Sequence, residues 1–209
     1  MKIAILGGTG HLGIGLSLRF AILGHKVIVG SRKLEKAEIK AEEYDEILEK
    51  AGYKPIIIGL DNENAAEEAD ISIFTIPWEH AFSTAEALKD VLSGKIVVSP
   101  LVPMKKVGKQ FIYISLPEGS AAEKLASILK DSKVVSVYHN IPAEKFTDLN
   151  AKFDWDVAVC SDDEEAKKIV IDLTNQIEGL RALDAGSLAA SRMIESITPL
   201  IVNIMIRNN

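Results

Sequence analysis

The run Ile3-Ala4-Ile5-Leu6, followed by Gly8-Thr9-Gly10-His11-Leu12-Gly13, restricts the fold more than any other stretch of the sequence. An apolar strand that runs into G-x-G-x-x-G at the mouth of a helix is the arrangement by which a chain turns tightly and brings its backbone against a diphosphate. Gly8 is assigned the tight turn, Gly10 the close approach to a pyrophosphate, and Gly13 the packing of helix on strand. The diphosphate then rests on free N–H groups at the positive end of the helix. These residues predict a dinucleotide-binding, Rossmann-type α/β fold.

Short apolar runs alternate with longer amphipathic ones along most of the chain, the pattern of a mostly parallel, doubly wound sheet with helices on both faces. Strands are predicted at residues 2–6, 25–30, 55–59, 71–75, 95–99 and 134–138, and helices at 12–23, 34–51, 64–68, 79–92 and 121–129. Residues 100–117 read as a Pro-containing loop. The pattern changes at His139-Asn140-Ile141-Pro142-Ala143. This divides the chain into a dinucleotide-binding domain, residues 1–140, and a smaller C-terminal α/β region, residues 141–209, that ends in an apolar helix. In that region a strand is predicted at 156–160, a helix at 163–177, a strand at 180–183 and a last helix from about 188. Ile194, Ile197, Ile201, Ile204 and Met205 fall near one face of this helix, which is read as packing in the core or across a dimer interface.

The second strand runs into Gly30-Ser31-Arg32-Lys33, about twenty residues past the glycine turn, where a carboxylate would select the ribose of NAD. Ser31 supplies a hydroxyl instead, Arg32 can grip a 2′-phosphate bidentately, and Lys36 lies one helical turn further on the same side. Cations at a helix N-terminus oppose the macrodipole, a cost that a bound phosphate reverses. The cofactor read from these residues is NADP.

Other chemistry lacks its residues. None of Tyr44, Tyr53, Tyr113 or Tyr138 is followed by lysine at the Tyr-x-x-x-Lys spacing, and HExxH, CxxC and Gly-x-Ser-x-Gly are absent, so no metal or hydrolytic nucleophile is predicted. Among four scattered histidines, His139 stands at the carboxyl end of a predicted strand, where open parallel sheets bind ligands, and is the first choice for a role in chemistry. Direct hydride transfer between two heterocycles needs orientation rather than a proton relay. A net charge of −6 argues against a nucleic-acid partner and requires any anionic ligand to meet a local cluster of cations. No charge-free apolar run reaches the roughly 18 residues needed to cross a bilayer, and Met1-Lys2 opens no secretory signal, so the protein is read as cytoplasmic without a membrane partner. Cys160, the single cysteine, follows Asp156-Val157-Ala158-Val159 and is read as a buried, inert thiol.

The ordered segments ILGGTGHLG, LGHKVIVGSRK with Lys36, TIPWEHA, KIVVSPLVP, HNIPA, KFDWDV, and LDAG followed by SRMIESITPLIVNIM resemble the archaeal-type coenzyme F420-dependent NADP oxidoreductases over nearly the whole chain. The resemblance implies hydride transfer between the deazaflavin F420 and NADP, both small-molecule substrates, in a homodimer. It implies Thr9, Gly10, His11 and Leu12 on the pyrophosphate and Ser31, Arg32 and Lys36 on the 2′-phosphate. It also implies that Trp78, Val102 and Ala143 line the nicotinamide side, with the deazaflavin stacked near His139 and Ile141. Where the family pattern continues into a glycine-containing tail over the deazaflavin, this sequence has Ile206-Arg207-Asn208-Asn209. That departure leaves two other readings open, an NADPH-dependent flavin reductase and a non-catalytic NADP(H)-sensing module. Lys105, Lys106 and Lys109 read either as a solvated loop or as a landing site for the anionic tail of F420.

Overall fold

The structure is a computed structural model that describes residues 1–208; Asn209, at the end of the predicted C-terminal region, lies outside the described residues. The first half runs β1 (Lys2–Leu6), α1 (His11–Ile22), β2 (Lys26–Ser31), α2 (Leu34–Lys50), β3 (Ile57–Asp61), α3 (Asn62–Glu68), β4 (Ile71–Phe74), α4 (Trp78–Leu88) and β5 (Ile96–Ser99). There follow β6 (Met104–Val107), β7 (Gln110–Tyr113), α5 (Ala121–Ile128), β8 (Lys133–Ser136), α6 (Ala143–Thr147), β9 (Trp155–Val159), α7 (Glu164–Thr174), β10 (Leu180–Asp184) and α8 (Ser191–Asn208). Six parallel strands form the main sheet in the order β3-β2-β1-β4-β5-β8. The order reverses between β1 and β4, so the loops at their carboxyl ends diverge and open a crevice there.

Strand alternation explains why β1 is apolar at successive positions. Ile3 and Ile5 enter a core with α1 and α2, while Ala4 and Leu6 enter a second core with α3, α4 and α5 on the other face. The first core continues into the C-terminal region through Phe146, Val157, Val159 and Val170. There β9 and β10 pair in parallel, and a bridge between Ser136 and Cys160 links them to the main sheet. Burial pushes the Cys160 thiol up to about 11, as an inert core cysteine requires.

Several boundaries differ from the sequence expectation for physical reasons. Pro55 has no N–H to give to the ladder, so β3 starts at Ile57, and Asp61 at its end caps α3 through the amides of Glu63 and Asn64. β8 stops at Ser136, and Tyr138 then adopts a left-handed φ of 71° that turns the chain toward His139. The predicted loop at 100–117 holds an antiparallel hairpin, β6–β7, and the short helix α6 follows Pro142.

The last helix departs most from expectation. Its buried positions are Ser191, Glu195 and Pro199, whereas Met193, Ile197, Leu200, Ile201, Ile204 and Met205 are exposed. The core alternative for its apolar face is therefore excluded. The amides that open α5 explain the inversion: those of Ala121 and Ala122 donate to Glu195 at 2.9 and 3.1 Å, and the Tyr113 hydroxyl donates at 3.3 Å. With the 3-10 turn Leu188–Ala190 ahead of it, the segment Leu188–Asn208 is long and apolar enough by length and composition to cross a membrane, although Arg192, Glu195 and Arg207 interrupt it and its charge-free run spans only residues 196–206.

Burial pushes the Glu195 carboxyl up to about 7 against the pull of its three donors. An acid whose folded pKa is raised adds most stability below its unfolded value of 4.5 and loses it as pH climbs to about 7. The stability of wild type relative to Glu195→Gln is therefore expected to fall by roughly 3 kcal/mol from pH 4.5 to 7. Urea midpoints at pH 4.5 and 7.5 for both proteins check this. A constant difference contradicts it.

Candidate active site

The glycine turn occupies the carboxyl end of β1, at the floor of the crevice. The left-handed residue is Gly7, with φ of 74°, one position ahead of the motif, so the sharp turn predicted at Gly8 belongs to Gly7. Gly8 and Gly13 are needed for contact instead: a Cβ on Gly13 would sit 2.6 Å from the Gly8 Cα. A Cβ on Gly10 would find nothing nearer than 3.9 Å, which leaves that backbone open to the crevice. Gly10 ends the turn without a side-chain cap, and its carbonyl takes the first helical bond from the Ile14 amide at 2.9 Å. The amides of His11, Leu12 and Gly13 thus precede any helical acceptor and suit an anion. The Tyr44 hydroxyl braces the turn from below by donating to the Gly8 carbonyl at 3.0 Å.

A cavity of about 770 Å³ runs from this turn to the end of β2. Its walls include Thr9, Gly10, Ser31, Arg32 and Lys36, which the sequence had grouped, together with Lys33, Asn62 and Thr75. Ser31 is buried and its hydroxyl accepts from the Lys33 amide at 3.3 Å, whereas Arg32 and Lys36 reach into solvent. Neither cation has a carboxylate partner among the described residues, although Lys40, one turn on, pairs with Glu43. Gly8 and Gly13 lie buried beneath the cavity and shape it without lining it.

A second cavity, about 440 Å³, shares Thr75, Ile76 and Pro77 with the first and continues past Leu12, Trp78, Val102, His139, Ile141 and Ala143. A third, about 410 Å³ and mostly apolar, is bounded by His11, the 139–144 segment and one side of α8. The sequence-predicted residues therefore meet in one continuous crevice. His139 is buried; its Nε2 lies 3.1 Å from the Ser136 hydroxyl, its carbonyl accepts from Thr198 at 3.0 Å, and its Nδ1 has no partner among the described residues. Burial lowers its pKa to about 4, so the ring is neutral at physiological pH.

Sequence reasoning missed Asn62, whose Oδ1 accepts from the Gly7 amide at 3.3 Å, and Thr198, which seats the His139 carbonyl. It also missed Met104 and Phe111 of the hairpin, which line the second cavity, with Trp78 Nε1 donating to the Met104 carbonyl at 3.3 Å. The Gly108-Lys109 turn between two short segments was the available signal.

A doubly wound sheet with a glycine turn, a cationic ribose end and an adjoining apolar cavity defines a nicotinamide-dinucleotide oxidoreductase. Residues 2–103 match the family described as NADP oxidoreductase coenzyme F420-dependent. The chain is 50% identical over 209 residues to the F420-dependent NADP reductase of Methanocaldococcus jannaschii, covering 99% of this chain and 93% of that protein. It is 40% identical over 212 residues to the F420-dependent NADP reductase of Methanothermobacter marburgensis, covering 100% and 94%. A crystal structure of a candidate F420-dependent NADP reductase from Arthrobacter sp. FB24 has the same fold, with a TM-score of 0.82 at 24% identity over 98% of this chain and 93% of that one. The chain belongs to the coenzyme F420-dependent NADP oxidoreductase family.

Proposed function

We propose that the crevice passes hydride between NADP(H) and coenzyme F420 by direct ring-to-ring transfer. The observation that carries this reading is the continuity of the cationic dinucleotide cavity with the apolar one through Thr75, Ile76 and Pro77. On this reading the amides after Gly10, with Thr9, His11 and Leu12, hold the pyrophosphate, and Ser31, Arg32 and Lys36 hold the 2′-phosphate. Trp78, Val102 and Ala143 flank the nicotinamide, and His139 and Ile141 position the deazaflavin. In the forward direction NADPH, F420 and one proton become NADP⁺ and reduced F420, with the proton drawn from solvent. A neutral His139 suits a positioning role. The apolar walls exclude water from the reacting carbons. Neither a flavin acceptor nor a sensor role is favoured by the names of the close relatives.

NADPH deuterated separately on each face of C4 tests the direct step. Deuterium from one epimer alone should be recovered on the deazaflavin. Loss of label to solvent from both epimers contradicts the reading.

The same reading divides the chain at residue 140 into a dinucleotide-binding domain and a region completing the deazaflavin side. It takes the exposed stripe of α8 as the contact of a cytoplasmic homodimer. The Arg192 guanidinium pairs with Glu123, and Glu195 is spent on α5, which fastens this helix along the protein body and favours a subunit contact over a membrane span. Leu200→Glu with Ile204→Glu, two residues 58% and 52% exposed, is expected to give monomers in analytical ultracentrifugation. An unchanged sedimentation coefficient would remove this face from the interface.

A further inference from the structure

We infer that Lys106, on the cavity-facing side of the β6–β7 hairpin, is the residue that receives the anionic tail of the deazaflavin and so selects F420 over its tail-less chromophore. The inference rests on the proposed function and narrows it to one side chain. In the hairpin Met104 pairs with Tyr113 and Lys106 with Phe111. Residues directly opposite, and residues two apart on one strand, share a face of the ribbon. Met104, Lys106, Phe111 and Tyr113 therefore stand on one face, and Lys105, Val107, Gln110 and Ile112 on the other. The first face is the cavity's, since Met104 and Phe111 line it.

Lys106 folds over the Phe111 ring, with Nζ 6.0 Å from its centroid. This places a cation above an aromatic wall of the apolar cavity. No carboxylate pairs with Lys106 among the described residues; Glu79, which lines the same cavity, forms no ion pair with it. In a chain of net charge −6, a cation left without an intramolecular partner beside an apolar pocket is available to a ligand anion.

The hairpin that carries Lys106 is fixed in place. The Phe111 amide donates to Asn203 Oδ1 and Asn203 Nδ2 donates to the Phe111 carbonyl, both at 2.7 Å, so α8 extends the edge of β7 with a side-chain amide. Trp78 holds the opposite strand through the Met104 carbonyl. A lysine on a fixed backbone loses less freedom on binding than one on a mobile loop. The dinucleotide's own phosphates are served by the turn and by Arg32 and Lys36, at the far end of the crevice. Phosphodiester and carboxylate groups on a second ligand are what remain for Lys106.

The test compares wild type, Lys106→Ala and Lys105→Ala in steady-state assays with NADPH and either F420 or its tail-less chromophore, at low and high ionic strength. For Lys106→Ala, the KM for F420 should rise about three- to tenfold and lose much of its salt dependence. Its KM values for the tail-less chromophore and for NADPH should stay at the wild-type value, and Lys105→Ala should match wild type throughout. An unchanged KM for F420, or an equal rise for both deazaflavins, overturns the assignment of Lys106 while leaving the proposed function standing. Failure of wild type to turn over either deazaflavin overturns the function, and Lys106 with it.

Discussion

Gly13→Val is expected to lower folding stability by about 3 kcal/mol and to remove measurable NADPH binding. The new Cβ would lie 2.6 Å from the Gly8 Cα and 2.7 Å from its carbonyl carbon and oxygen, and these backbone atoms cannot rotate away. Relief requires either α1 to lift from β1 or the turn to move, and each displaces the amides of His11 and Leu12 from the crevice floor. Gly10→Ala separates the two effects. Gly10 has φ of −93°, which alanine accepts, and its Cβ meets nothing within 3.5 Å, so folding stability should stay near wild type while the methyl group occupies space at the crevice floor. Urea unfolding and NADPH titration of both variants check the pair. Wild-type affinity in Gly13→Val would refute the packing account of the turn.

Arg32→Ala is expected to weaken NADPH binding by about 1.5 to 3 kcal/mol, roughly ten- to 150-fold, and to leave NADH binding nearly unchanged. Arg32 is exposed at the end of β2, beside the buried Ser31 hydroxyl, and no carboxylate among the described residues neutralises it. Its charge is therefore free for the 2′-phosphate, and the two cofactors differ by that group alone. Lys36→Ala should show the same selectivity with a smaller loss, because a lysine offers a point charge rather than a fork. Titrations with both nucleotides at fixed ionic strength measure it. Equal losses for NADPH and NADH would show that Arg32 stabilises the site generally and does not read the phosphate.

Both of these sites were legible before the structure because they depend on local chain order. Strand, glycine turn, helix and second strand follow one another within residues 2–31, and the parallel sheet then brings Ser31 and Arg32 beside the turn. His139 was singled out because it follows a strand at the ligand edge of such a sheet, whereas Ile141 and Ala143 were reached only through the family resemblance. The turn was misassigned by one residue because the need for glycine at position 7 comes from its left-handed φ and from the approach of Ile76, which follows β4 and is distant in sequence. The hairpin was missed because its strands are only four residues long and Met104-Lys105-Lys106-Val107 does not alternate. Thr198, Asn203 and Glu195 were hidden for a deeper reason. Periodicity marked the isoleucines as the packing face of α8, but the helix turns its polar stripe inward to satisfy the amides of α5 and the edge of β7. Partners of that kind are set by tertiary contact, and helical spacing carries no trace of them.

The central claim concerns the reaction, and its most direct test mixes the purified protein with NADPH and oxidised F420 and follows the deazaflavin's visible absorbance, with FMN and NADH as parallel substitutes. Rapid loss of the oxidised F420 band with NADPH, with much slower change for FMN and for NADH, is the predicted result. Faster turnover of FMN than F420, or tight NADPH binding with neither acceptor reduced, would contradict it.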